Sequence, residues 1–148
     1  MATTAVLVDT SVAVPLVVSD HTNHLEVRTA LATRRLGLAG HAAFETYSVL
    51  TRLPGPARRS PEAVSRLLHV GFPDSRFLPD GQAERLFGEL ARVGIAGGSV
   101  FDALVGAVAV HHRRVLVTRD TRAVRVYRAL GVEYELIGGE SVEGLDGS

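Results

Sequence analysis

Four carboxylates in the 148-residue chain stand out for their surroundings. Asp102 interrupts VFDALVGAVAV, residues 100–110, in which every other side chain is small or apolar. If that run is helical it is apolar nearly all round, and it takes Asp102 into the interior with it. A carboxylate removed from water needs a charge partner, hydrogen bonds or a metal. Asp9 ends the apolar run TAVLV and Asp120 lies just past VLVT. Both runs read as buried strands of a parallel sheet, the kind of sheet that binds ligands at its carboxyl ends. Glu45 falls off the apolar stripe of HAAFETYSVLTRL. If Glu45 and Asp102 face the same edge, four carboxylates converge and repel one another unless a cation sits among them. Oxygen-only ligation favours Mg²⁺ or Mn²⁺, which retain waters and bind substrate phosphate. Such a site activates water, orients an in-line attack and stabilises charge on a phosphodiester.

The elements that must position these residues alternate along the chain. A strand over residues 4–8 leads into a helical turn from Ser11. A helix from Asp20, with Leu25, Arg28, Leu31 and Arg35 among its repeats, ends near Gly37, and LGLAG reads as a second strand. In the next helix Ala43, Tyr47 and Leu50 share one stripe, and PGP stops it. PGPARRSP, residues 54–61, is a loop, with Ser60 and Pro61 as N-cap and first residue of another helix, EAVSRLLHVGF. A short extended FLP leads to Asp80, a cap for GQAERLFGELARVG, and AGGS then separates that helix from the one carrying Asp102. VLVT, the helix TRAVRVYRALG and the strand VEYELI follow. Strands alternating with helices predict an α/β fold, a three-layer α/β/α sandwich around a central, mainly parallel sheet. A single domain over residues 1–137 and a flexible tail over 138–148 are expected.

Composition narrows the chemistry. The formal net charge is zero, so charge alone does not point to nucleic acid. All 16 basic side chains are Arg, which excludes mechanisms that use a lysine. There is no Cys, hence no thiolate nucleophile or Cys-based zinc site, in keeping with a reducing compartment. The apolar N-terminus lacks a basic leader and is broken by Asp9, and no uncharged run is long enough to span a bilayer. A cytoplasmic protein without membrane association is expected.

VLVDTSVAVPLV, AFETYSVLTRLP, GGSVFDALVGAVAV and VLVTRDTRAV, in this order and at these separations, resemble the four acidic blocks of PIN-domain ribonucleases, in particular the VapC toxins of bacterial toxin–antitoxin pairs. The resemblance runs from Ala5 to about Ile137. It implies that Asp9, Glu45, Asp102 and Asp120 form a metal-binding catalytic quartet, with Ser11 and Thr118 as polar residues beside it. It further implies a Mg²⁺- or Mn²⁺-dependent endoribonuclease acting on cellular RNA, often tRNA or rRNA, and inhibited by a VapB antitoxin. Homodimers are implied too, as are complexes that reach operator DNA through the antitoxin. With no Lys, contacts to RNA phosphate fall to Arg, and Arg52, Arg113, Arg114, Arg119 and Arg122 lie nearest the acidic blocks in sequence. No residue between Pro54 and Val93 matches a catalytic position of the family.

Each acid also has a structural alternative. Asp9 and Asp120 can cap the helices that follow them. Glu45 can be solvated, and Asp102 can pair with Arg119. His111, His112, Arg113 and Arg114 form a basic cluster at a helix end, which the helix dipole favours. His21 and His24 are spaced to share a metal but read more simply as a solvated pair, and His69 carries no signal. A haloacid-dehalogenase-type phosphatase would need an acid where Ser11 stands, and both it and a response-regulator receiver need a lysine. Two alternatives stay open: a non-catalytic PIN-fold module that binds RNA or protein, and a PIN nuclease of RNA processing outside a toxin pair. Asp102→Asn or Asp9→Asn is expected to abolish cleavage and leave the fold intact or more stable.

Overall fold

Four short strands, β1 (Ala5–Val8), β2 (Arg35–Leu38), β3 (Val115–Thr118) and β4 (Tyr134–Leu136), form one parallel sheet in the order β2-β1-β3-β4. The computed structural model describes residues 4–138. Strand β1 is central: Val6 aligns with Leu36 on one side and with Val115 on the other. The chain therefore leaves β1 in opposite directions for its two neighbours. This creates a switch point, whose crevice at the carboxyl ends of the strands is the usual ligand position in such sheets.

Helices α1 (Thr10–Val17), α2 (His24–Leu31), α3 (His41–Thr51), α4 (Pro61–Gly71), α5 (Asp80–Val93), α6 (Ser99–His112) and α7 (Val124–Ala129) make the outer layers. Val6, Val8 and Val117 pack with Val12, Val27, Leu50 and Val64, whereas Leu7 and Leu116 pack with Val105, Val108 and Tyr127. Successive strand residues thus enter different cores, which explains why the strands are continuous apolar runs without alternation. Leu7 and Leu116 are fully buried, and each contributes roughly 1.5–3 kcal/mol. The three-layer parallel sandwich expected from the sequence is the observed one.

Several local expectations are corrected. Helix α2 stops at Leu31, well before Gly37, and Arg35 and Leu36 belong to β2. Pairing with Ala5 and Val6 of β1 recruits them, and Arg35 reaches Asp74 at 3.0 Å. The buried stripe of α3 is Ala42, Thr46 and Leu50, and Tyr47 is exposed. Thr46 tolerates the interior because its hydroxyl donates to the Ala42 carbonyl at 2.7 Å. Asp80 is the first residue of α5, with Pro79 before it, whereas Ser60 caps α4 as expected by accepting from Ala63 N–H. Helix α6 is not buried all round: Ala103, Val105, Gly106, Val108 and Ala109 face inward while Phe101 and Val110 are exposed. Its cover is α5, which buries no residue of its own.

Beyond β2, Asp74 N–H donates to the Leu36 carbonyl and Arg76 N–H to that of Leu38, extending the sheet edge. A Cβ at Gly37 would overlap the Asp74 carbonyl, so this close approach depends on glycine. The expectation of a flexible tail over residues 138–148 lies, from residue 139 on, outside the described ones.

Candidate active site

Asp9 and Asp120 reach the carboxyl edge of the sheet by strand register. Val8 pairs with Val117, which places Asp9 beside Thr118, and Asp9 N–H donates to the Val117 carbonyl at 3.3 Å. Asp9 occupies the N-cap position of α1, yet its side chain makes no cap hydrogen bond. Its carboxylate instead accepts three hydroxyl protons. Oδ1 accepts from Ser11 at 2.5 Å, and Oδ2 accepts from Thr118 at 2.5 Å and from Tyr127 at 2.9 Å. Only 5% of Asp9 is exposed. Burial pushes its pKa up, the three hydroxyls pull it back, and the charge of Asp120 adds to the rise, so the net direction is upward.

The hydroxyls are themselves fixed by the backbone. Ser11 Oγ accepts from Arg119 N–H at 2.8 Å, and Thr118 Oγ1 accepts from Asp120 N–H at 3.0 Å. Asp120 uses Oδ1 to accept from the backbone N–H of Arg122 at 2.9 Å and of Ala123 at 3.4 Å. The turn-capping alternative therefore describes one oxygen of Asp120, and it does not describe Asp9.

Asp102 lies in the first turn of α6, half-buried, and makes no side-chain hydrogen bond or ion pair among the described residues. Burial, then the charges of Asp120, Asp9 and Glu45, push its pKa up to about 6. The charges of all three other acids are felt at Asp102. The alternative pairing with Arg119 is not formed, since Arg119 Nη2 donates to the Gly138 carbonyl. Glu45 is anchored: Oε2 accepts from Thr10 Oγ1 at 3.1 Å, and Oε1 lies 3.0 Å from His41 Nε2. His41 in turn stacks on Phe101 with ring centroids 4.9 Å apart.

The candidate arginines separate. Arg119 and Arg122 adjoin Asp120, and their backbone N–H groups bond within the site. Arg52 caps the far end of α3, and Arg113 and Arg114 precede β3, at the opposite end of that strand from Asp120. Four histidines outside the site have hydrogen-bond partners: His24 meets the Pro15 carbonyl, His21 accepts from Asn23 N–H, His69 meets the Ser65 carbonyl and His112 the Phe77 carbonyl. A cavity of about 420 Å³ lies elsewhere, lined by apolar residues including Phe44, Leu68, Phe72 and Phe77.

Three contributors to the site went unread in the sequence. Tyr127 had a legible signal, because Ala123, Val126, Tyr127 and Leu130 recur at helical spacing, and a buried tyrosine needs a partner for its hydroxyl. Thr10 and His41 had none, since their role depends on how α1 and α3 meet.

The donor set, carboxylate oxygens only, suits a hard divalent cation, and the charges of the other three add to the raised pKa of Asp102. Among the described residues no three acidic or histidine side chains are drawn close enough to enclose an ion as they stand.

Residues 6–129 match the PIN domain family, a span that contains all four acids. The chain is 48% identical over 125 residues to Ribonuclease VapC27 of Mycobacterium tuberculosis, covering 84% of this chain and 91% of that protein. Among solved structures, it resembles VapBC2 from Rickettsia felis bound to a DNA fragment from their promoter, with a TM-score of 0.64 at 12% identity over 90% of this chain and 99% of that one. The Mycobacterium tuberculosis VapC20 structure, described as a sarcin-ricin loop cleaving toxin, also gives a TM-score of 0.64, at 19% identity over 82% and 94% of the two chains. At these identities the two structures speak for the fold, while the family match and VapC27 speak for descent. The chain belongs to the PIN-domain family, as a VapC-type member.

Proposed function

We propose that the protein is the toxin of a type II toxin–antitoxin pair: a Mg²⁺- or Mn²⁺-dependent endoribonuclease that cuts cellular RNA, tRNA or rRNA, and is blocked by a cognate VapB antitoxin. The observation that carries this reading is an unpartnered carboxylate, Asp102, at a parallel-sheet switch point, where burial and then the charges of Asp120, Asp9 and Glu45 push its pKa up to about 6. Nothing in that arrangement suits the chemistry of a lysine or a thiolate, and the chain has neither residue.

The division of labour follows from the contacts. Ser11 and Thr118, each tied to a backbone N–H across the β1–β3 junction, hold the Asp9 carboxylate in place before any ligand arrives. Asp102 and Asp120 supply the unneutralised charge. Glu45, steered by Thr10 and His41, closes the set from α3. When bound, a divalent cation offsets that charge, acidifies water and stabilises the phosphodiester oxygens during attack. Arg119 and Arg122, the arginines that flank Asp120 in the chain, would meet the phosphate beside the cut. Arg52, Arg113 and Arg114 would meet the backbone of a long RNA further away.

The VapC27 relative, named a ribonuclease, supports the activity. The VapBC2 structure on promoter DNA supports an antitoxin partner and indirect contact with operator DNA, and VapC20, a sarcin-ricin loop cleaving toxin, supports a toxin's role. A cytoplasmic homodimer completes the reading. Among the described residues no helix is long and apolar enough to cross a membrane.

The test is cleavage of total cellular RNA by antitoxin-free protein, with Mg²⁺ or Mn²⁺, with EDTA, and with Asp102→Asn beside the wild type. Discrete metal-dependent fragments that vanish in the variant are expected, and their ends identify the target. Unchanged cleavage by the variant, or none by folded wild type, overturns the reading in favour of a binding module.

A further inference from the structure

Tyr127 is fully buried in the helical layer opposite α1 to α4, where its hydroxyl needs a partner. It donates to Asp9 Oδ2, 2.9 Å away. A carboxylate has about four acceptor positions, two on each oxygen. On Oδ2 both are taken, by Thr118 and Tyr127; on Oδ1 one is taken, by Ser11. One acceptor position is left, and it is on Oδ1.

The ring of Tyr127 is as constrained as its hydroxyl. A Cβ added at Gly106 would come within 3.1 Å of Tyr127 Cδ1 and 3.0 Å of Val132 Cγ2, so the ring lies against the bare backbone of α6. Gly106 is one helical turn beyond Asp102, on the same side of that helix. Tyr127 itself belongs to α7, which follows the turn that Asp120 caps. One side chain therefore touches the strand end bearing Asp9 and the helix bearing Asp102, from the element that follows Asp120.

We propose that Tyr127 is a positioning residue for the cation site, whose hydroxyl ties up Oδ2 of Asp9 and so commits that carboxylate to bind through Oδ1 alone. This rests on the metal-dependent reading of the quartet. The phenol hydroxyl is the donor in this contact and the carboxylate the acceptor. Phenylalanine would keep the ring and its packing, which isolates the hydroxyl as the variable.

The experiment measures Mn²⁺ binding, without RNA, by electron paramagnetic resonance of the free ion for wild type, Tyr127→Phe and Asp102→Asn, with melting curves in EDTA to compare folds. Outer hydrogen-bond partners of metal ligands typically control affinity by roughly 10–100-fold, and a loss in this range is expected for Tyr127→Phe. Asp102→Asn should lose binding. As a second measurement, the Mn²⁺ midpoint for RNA cleavage by Tyr127→Phe should move upward, with activity recovered at high Mn²⁺. A purely structural loss would lower the maximal rate and leave that midpoint unmoved, even in a partly folded preparation. Wild-type affinity and midpoint in Tyr127→Phe, with binding lost in Asp102→Asn, would overturn the role of Tyr127 and leave the site standing. No Mn²⁺ binding by the wild type, or equal binding by Asp102→Asn, would overturn the metal site and this inference together.

Discussion

The end of β1 and the first turn of α6 each present a carboxylate to the same site, and they treat it in opposite ways. Asp9 is the more deeply buried, yet three hydroxyls surround it, two of them pinned by backbone N–H groups. Asp102 is only half-buried and has no donor among the described residues, so the repulsion of three other acids falls on it unrelieved. Burial is the largest cause of the raised pKa at both acids; what separates them is the supply of hydrogen-bond donors, present at Asp9 and missing at Asp102. Asp9 is a prebuilt fixture, whereas Asp102 is the group with most to gain from a cation.

The comparison breaks most visibly in catalysis. Asp102→Asn and Asp9→Asn should each reduce RNA cleavage by more than about 100-fold, since a ligand should matter at least as much as its supporting partners. Comparable rates for either variant and the wild type would show that the carboxylate in question is not a ligand.

A smaller effect is expected on heating. Mn²⁺ at about 100 times its dissociation constant should stabilise the wild type by about 2.7 kcal/mol, seen as a higher Tm that EDTA reverses. Asp102→Asn should show no such response.

In EDTA near pH 8 the two asparagine variants should then part company. Asp102→Asn removes an unpartnered charge from a crowd of like charges, and its Tm should rise. Asp9→Asn turns an acceptor into a donor facing hydroxyl protons and loses at least one hydrogen bond, at a cost of about 1 kcal/mol. Its Tm should stay at or below that of the wild type. A matching rise in both variants would erase the distinction drawn between the two acids.

The smallest effect is a pH dependence. The folded-state pKa of Asp102, about 6, lies above its ordinary value of 3.8. Its contribution to stability is thus fully present below 3.8 and is lost as pH rises through about 6. In metal-free melts, wild type and Asp102→Asn should agree at and below pH 3.8 and draw apart as the pH rises to about 6, the wild type falling behind, with a steady gap above that. A constant difference across that range would mean that Asp102 titrates at its ordinary value.

Much of the site was legible because it is tied to strand ends. An apolar run that stops at an acid, as AVLVD and VLVTRD do, places that acid at the carboxyl edge in any parallel sheet. The reading of α3 was shifted by one residue, because Thr46 hides its hydroxyl on the Ala42 carbonyl and so passes for a core residue, which its type does not announce. The full burial expected for α6 failed for a different reason. Apolar composition states what a helix can bury, but Phe101 and Val110 stay exposed where no neighbour covers them.

The sequence by itself determined the parallel sandwich, the four acids and their order, since hydrophobic runs set strand positions and the acids end or interrupt them. Only the tertiary structure decided how those acids are held. It turned Asp9 away from helix capping toward three hydroxyls, brought Tyr127 onto it from 118 residues away, and left Asp102 without a donor. Hydrogen-bond partners and repelling charges depend on distances across the fold, and no local pattern in a chain encodes those distances.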